Sequence, residues 1–255
     1  MLPYYGQPPY NYSMRPDIVN LRQFYSSPLG RRVKLRLRRI LREPWRGRTG
    51  VMLGVGYANP LLPLPQNAAD AGCVLSLMPA SQGAIYWPVD SANRSILGDE
   101  MRPPFAPNSL AQVVLVHALE YATRPDELLS ILWQLLAPGG RLWVVVPQRR
   151  GLWASMGATP FASGTPYNLA MLRDLINGAE FTLREVRTAL FAPPSAHPFW
   201  LRSWAVIEWI GRVLFPRIGG VLIVEAEKQI YAGVLQSTRA TVKQRAWAAR
   251  QGVPA

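Results

Sequence analysis

One cysteine, two histidines and only 15 acidic residues stand against 28 lysines and arginines in this 255-residue sequence. The lone Cys73 excludes an internal disulfide and any zinc site built from clustered cysteines, and it fits a reducing, cytosolic compartment. The two histidines, His117 and His197, lie in unrelated contexts, and no G-x-S-x-G turn occurs, so a serine-type triad is excluded. The absence of G-x-x-x-x-G-K-[ST] argues in the same way against nucleotide hydrolysis. No stretch reaches the roughly 18 uncharged apolar residues that a membrane span needs. The opening MLPYYGQPPYNYSMRP has neither the basic start nor the apolar run of a secretory signal.

The shortage of acids leaves a net charge of +13. Such a charge attracts polyanions: nucleic acid, an anionic membrane surface or an acidic substrate. With 49% apolar residues the chain can bury a sizeable core and is not a disordered protein.

Residues 1–14 mix proline and tyrosine without any period and read as a flexible tail. From Asp17, a capping residue, Ile18, Leu21, Phe24 and Tyr25 recur at helical spacing until Pro28 interrupts. A second helix is expected from Arg31 to Pro44. Val33, Leu37, Ile40 and Leu41 form its apolar face, and Arg31, Arg32, Lys34, Arg36, Arg38, Arg39 and Arg42 crowd the remainder. Two readings of this 15–48 extension stay open: a helix packed on the domain with a solvated basic face, or a polyanion-binding arm over Arg31–Arg48 for RNA or an anionic membrane surface.

After Gly50 short apolar runs alternate with helical stretches, the pattern of a mostly parallel sheet with helices on both faces. Strands are expected at Val51–Val55, Cys73–Met78, Ser95–Gly98, Val113–His117, Leu142–Val146, Phe181–Leu190 and Val221–Ala226. Helices are expected at Pro125–Leu136, from Thr165-Pro166 to about Asn177–Gly178, and near Trp200–Leu214. This unit runs over about 49–235, with a Trp-rich insertion near 196–216, and 236–255 form a C-terminal tail.

GVGYANP at 54–60, directly after the first strand, resembles the glycine-rich loop of class I S-adenosylmethionine-dependent methyltransferases of the small-molecule type. The stretch from SILGDE at 95–100 through VVLVHALE to LLAPGGRLWVVVP resembles the family's central region. HALE at 117–120, PQRRGLWASMGATPFASGTPY at 147–167 and EAEKQIYA at 225–232 are similar to a bacterial subgroup of unknown substrate. The resemblance, over about 50–232, implies a Rossmann-like seven-stranded fold, S-adenosylmethionine as cofactor and transfer of a methyl group to an unidentified acceptor. It assigns Gly54, Gly56, Tyr57 and Asp99 to the cofactor, Asp99 through the adenine amino group. The family usually has an acid at the end of the second strand for the ribose hydroxyls, and here LMPASQG at 77–83 supplies only Met78, Pro79, Ser81 and Gln82. Ala58 replaces the loop's third glycine.

The chemistry of the residues agrees with part of this. Glycines let backbone approach a ligand where a Cβ would collide, and a helix start beyond them would offer N–H groups to a carboxylate; the alternative is a tight turn leaving a buried strand. His117 with Glu120, just past the fourth strand, could deprotonate an acceptor near neutral pH, although proximity alone can drive methyl transfer. Arg149 and Arg150, with Trp153, follow the fifth strand and suit a carboxylate or phosphate of the acceptor. His197 reads as structural. The Trp-rich segment reads as core packing, as a lid over the acceptor, or as an element dipping into a membrane surface. The rival to the enzyme is a methyltransferase-like chain without catalysis that binds RNA or a partner protein.

Overall fold

A computed structural model describes residues 15–45, 49–63, 73–156, 159–216 and 218–229. The two tails, Arg46–Arg48 of the basic arm and the end of EAEKQIYA therefore lie outside the described residues.

Seven strands form one sheet in the order β3-β2-β1-β4-β5-β7-β6. They are β1 (Val51–Gly56), β2 (Val74–Pro79), β3 (Ser95–Gly98), β4 (Leu110–Val116), β5 (Leu136–Pro147), β6 (Phe181–Ala189) and β7 (Val221–Lys228). β7 runs antiparallel to both β5 and β6, and the remaining neighbours pair in parallel. The sheet is thus mostly parallel, with helices on both faces, as expected.

The strand alternation of period two divides the apolar residues between two cores. Val113, Leu115, Leu142 and Val144 face one core, shared with helices α3 (Pro125–Leu135) and α5 (Leu169–Gly178). Val114, Val116, Trp143 and Val145 face the other, shared with α1 (Ile18–Ser26), α2 (Pro28–Trp45) and Trp204 of α7 (Trp204–Leu214). The shorter α4 (Leu152–Ser155) and α6 (Pro198–Arg202) lie in the loops after β5 and β6.

Sequence and structure part at several boundaries. Asp17 caps α1 through Asn20 N–H at 2.8 Å. The second helix, however, begins at Pro28 and not Arg31, because proline is tolerated at a first helical position and the Ser27 hydroxyl accepts from Gly30 N–H at 3.0 Å. β5 starts at Leu136, already paired with Leu110 on β4, so the Pro138–Gly140 turn falls inside the strand. The helix expected from Thr165-Pro166 starts at Leu169. Asn168 is its cap, accepting from Met171 N–H at 2.8 Å, while Tyr167 N–H bonds Pro147 O and holds 165–167 extended beside the end of β5. The Trp-rich segment is two helices broken at Ser203.

Candidate functional site

The carboxyl ends of the parallel strands carry the residues singled out above, and α1 lies across them. Its start is tied to the loop after β2 by Ile18 N–H donating to Gln82 O at 2.8 Å. Just before it, Arg15 makes two hydrogen bonds to the Glu100 carboxylate, at 2.9 and 2.5 Å, beyond the end of β3, and its guanidinium sits 5.8 Å from the centroid of the Tyr121 ring. At its far end Tyr25 reaches the loop after β1, with its ring 5.6 Å from that of Tyr57, and the end of β4, where its hydroxyl meets His117 Nε2 at 3.0 Å.

His117 is fully buried and sits in the left-handed region, φ 52°. That turn, followed by the short helix Leu119–Tyr121, brings Glu120 back under the ring. Glu120 Oε1 lies 3.2 Å from His117 Nδ1 and its Oε2 accepts from Ala118 N–H at 3.1 Å. Burial first, then the fields of Tyr57 and Glu120, raise the Tyr25 pKa well above its ordinary value, so the phenol keeps its proton. A carboxylate only accepts, so Nδ1 carries the ring proton and Nε2 takes the Tyr25 hydroxyl proton in a hydrogen bond. The result is a directed chain, Tyr25 O–H to His117 to Glu120, packed under Phe161, whose ring lies 4.7 Å from the imidazole. The same burial pushes Tyr57 up to about 12.

The loop after β1 is closed by its own chain. A Cβ on Gly54 would stand 2.7 Å from Ala58 Cβ and 2.8 Å from a Leu62 methyl. Gly56 has φ +83°, and a Cβ there would stand 2.3 Å from Val116 O. Both glycines are therefore required by the turn itself. Asn59, buried in the same loop, accepts from Ser76 Oγ of β2 and leaves its Nδ2 without a partner.

Asp99 is exposed and caps its own turn, accepting from Met101 N–H at 2.8 Å. Its neighbour Glu100 is the acid tied to the N-terminal segment. Arg149 and Arg150 are exposed on the loop after β5, with Arg149 N–H donating to Tyr167 O. Trp153 is fully buried: its indole N–H donates to Ala192 O at 2.8 Å and its ring packs edge-on against Phe161 and Trp204. It anchors the Trp-rich segment. His197 is exposed and caps α6 through Phe199 N–H, the structural role expected of it. Among the described residues no cluster of His, Cys, Asp or Glu could hold a metal ion, and no helix is long and apolar enough to cross a membrane.

Sequence reasoning treated Gln82 only as a missing acid. It is 2% exposed in the turn after β2, and both of its amide atoms lack a partner. A buried carboxamide with an open donor and an open acceptor is costly unless something binds it.

The fold is shared with solved structures. An S-adenosylmethionine-dependent methyltransferase of Thermotoga maritima superposes with a TM-score of 0.55 at 16% identity, covering 83% of this chain and 96% of that one. The fold is the class I methyltransferase fold. Another such enzyme, of Archaeoglobus fulgidus, matches with a TM-score of 0.53 at 18% identity, over 81% of this chain and 97% of its own. A Haemonchus contortus phosphoethanolamine N-methyltransferase, in complex with phosphomonomethylethanolamine and S-adenosylhomocysteine, matches at 0.51 and 14% identity, over 83% of this chain and 57% of its own. No family model matches the chain, and no curated protein matches it.

The residues fit the cofactor of these methyltransferases at the end of β2. In the turn just beyond it the orphaned Gln82 carboxamide offers a donor and an acceptor that hydroxyl or amino groups of such a cofactor would satisfy.

Proposed function

We propose that the chain is an S-adenosylmethionine-dependent methyltransferase whose acceptor meets His117. The buried Tyr25–His117–Glu120 chain at the end of β4 carries this reading. Gly54, Gly56, Tyr57 and Asn59 would shape the cofactor's methionine end, Gln82 and Asp99 its nucleoside end. The cofactor supplies an electrophilic methyl group on a sulfonium sulfur. Glu120 holds His117 by Nδ1–H and leaves Nε2 as a base. With α1 shifted, Nε2 takes a proton from an acceptor O–H or N–H in the position now held by the Tyr25 hydroxyl. Glu120 stabilises the imidazolium so formed. Arg149 and Arg150 would face the acceptor and suit one bearing a carboxylate or phosphate.

Because α1 crosses the rim, entry of either ligand requires α1 to move. Calorimetric titration with S-adenosylhomocysteine tests the reading directly. Binding in the micromolar to sub-millimolar range, about 4 to 8 kcal/mol, is expected. Gln82→Leu should weaken it about tenfold, or roughly 1.4 kcal/mol. Gln replacements of Arg149 and Arg150 should leave it unchanged. No detectable binding at about millimolar ligand would refute the enzyme and favour a binding module without catalysis.

A further inference from the structure

The charge and apolar pattern of α6 and α7 has no part in the site described above. Phe199 on α6 and Val206, Trp209, Val213 and Leu214 on α7 are exposed, each by 56% or more of its surface, and Phe215 continues the ridge at 55%. Val206, Trp209 and Val213 recur at helical spacing on one side of α7. Its other side is fixed to the protein, with Trp204 against Trp153 and Glu208 accepting from Ala192 N–H at 3.2 Å. Core packing therefore accounts for one face only. A continuous apolar ridge of this kind on a monomer marks an interaction site.

The rim of the ridge is basic. Arg36 of α2 pairs with Glu208 at 3.2 Å, which sets α2 beside α7. Burial lowers the Arg36 pKa, Glu208 opposes the shift, and the nearby charges of Arg212 and Arg39 lower it further, so these cations share one neighbourhood. Arg32 and Arg39 flank Arg36 at helical spacing on α2 and are exposed, as are Arg202 and Arg212 beside the ridge. Leu35, 66% exposed, interrupts this arginine stripe with another apolar side chain. Glu208, the acid at this seam, is buried and already paired.

We infer that α6 and α7, with the arginine stripe of α2, form a docking surface for an anionic lipid bilayer. Trp and Phe suit the headgroup boundary, aliphatic side chains enter the acyl region, and arginines at the rim take lipid phosphates. RNA would match the arginines but gains nothing from Val206, Val213 and Leu214. An acidic protein would have to supply an apolar groove as well. A bilayer supplies both chemistries at once. The inference is independent of the methyltransferase reading.

Co-sedimentation of the full chain with vesicles tests it. Binding is expected to vesicles of phosphatidylcholine with about one-quarter phosphatidylglycerol, and not to phosphatidylcholine alone. The triple variant Val206→Ser, Trp209→Ser, Val213→Ser alters exposed side chains only, so circular dichroism should be unchanged while vesicle binding falls at least about tenfold. Gln at Arg32, Arg39 and Arg212 should remove the preference for the anionic lipid and flatten the salt dependence. Three results would overturn the inference. They are no sedimentation with the anionic vesicles, binding unaffected by the apolar triple variant, and an apolar ridge shown by sedimentation equilibrium to be buried between two copies of the chain. Binding to a single-stranded RNA that survives the apolar variant, without vesicle binding, would assign the arginines to nucleic acid.

Discussion

The Tyr25–His117–Glu120 chain makes a prediction that rests on direction more than on strength. Glu120→Gln keeps an acceptor for Ala118 N–H but turns an amide donor toward His117 Nδ1. The ring must then carry its proton on Nε2, which now points a donor at the Tyr25 hydroxyl. Tyr25 can accept from it, and its own proton, in a site 5% exposed, loses the acceptor it had. One buried donor is orphaned, at a cost of about 1–3 kcal/mol. Tyr25→Phe alone orphans one acceptor, Nε2, at a similar cost of about 1–3 kcal/mol. In the double variant the reversed ring leaves only Nε2–H without a partner, so one group is orphaned and not two. The double variant should therefore cost about as much as either single one, with a coupling of about 1–3 kcal/mol between two residues that both bond His117. Urea unfolding of the four proteins, with m unchanged, measures it. Costs that add to within about 0.5 kcal/mol would refute the assigned tautomer and with it the basic Nε2.

Three further outcomes follow from single contacts. Gly56→Ala should destabilise by more than the roughly 1–3 kcal/mol of backbone strain at a positive φ, since its Cβ would also meet Val116 O at 2.3 Å; a melting temperature equal to wild type would refute that turn. Burial raises the Glu208 pKa above its ordinary value against the opposing Ala192 N–H and Arg36, so the folded chain holds that proton more tightly than the unfolded one and stability falls as pH rises from about 4.5 through the raised pKa. Glu208→Gln removes this dependence, so its stability relative to wild type should grow over that window in denaturant titrations; a constant difference would refute the assignment. Arg15→Ala removes both bonds to Glu100 and loosens α1, and if α1 must lift for cofactor entry, S-adenosylhomocysteine affinity should rise. Unchanged or weaker binding would show that α1 forms part of the pocket wall.

Much of the sheet was legible because its strands are buried on both faces and read as unbroken apolar runs, VMLGVG and LWVVVP among them. The N-cap of α1 was legible from Asp17 and the apolar stripe of α2 from spacing, and Val33, Leu37 and Leu41 are fully buried. What could not be read is where α1 docks, since Tyr25 and His117 are 92 residues apart and no period links them. One signal was available: Tyr25 follows Leu21 by four residues on an apolar stripe, and a tyrosine so buried must find a partner for its hydroxyl. Gln82 escaped because an amide carries no charge to mark it, and its meaning lies in partners it lacks. The start of α5 was misplaced because Pro166 suits a first helical turn as well as it suits an extended segment, and only the bond from Tyr167 N–H to Pro147 O decides between them.

The two N-terminal helices are not held equally, and this decides which of them can uncover the site. α1 buries Leu21 and Tyr25, whereas α2 buries Leu29, Val33, Leu37, Leu41 and Trp45. At about 1.5–3 kcal/mol for each buried apolar side chain, three more such residues fix α2 by roughly 5–9 kcal/mol beyond α1. The Arg15–Glu100 pair, its side chains only 7% and 13% exposed, returns part of that difference to α1, at about 1.5–3 kcal/mol for each of its two charged hydrogen bonds. Between the helices stands Ser27, in an extended conformation with φ −67° and ψ 161°. A rotation there would swing Tyr25 away from His117 and Arg15 away from Glu100 while leaving α2 seated on the sheet. The Arg36–Glu208 contact and the arginine stripe beside α7 would stay in place throughout. Access to the candidate site and the basic surface of the chain are thus separable: the first depends on the weakly anchored α1, the second on the firmly anchored α2.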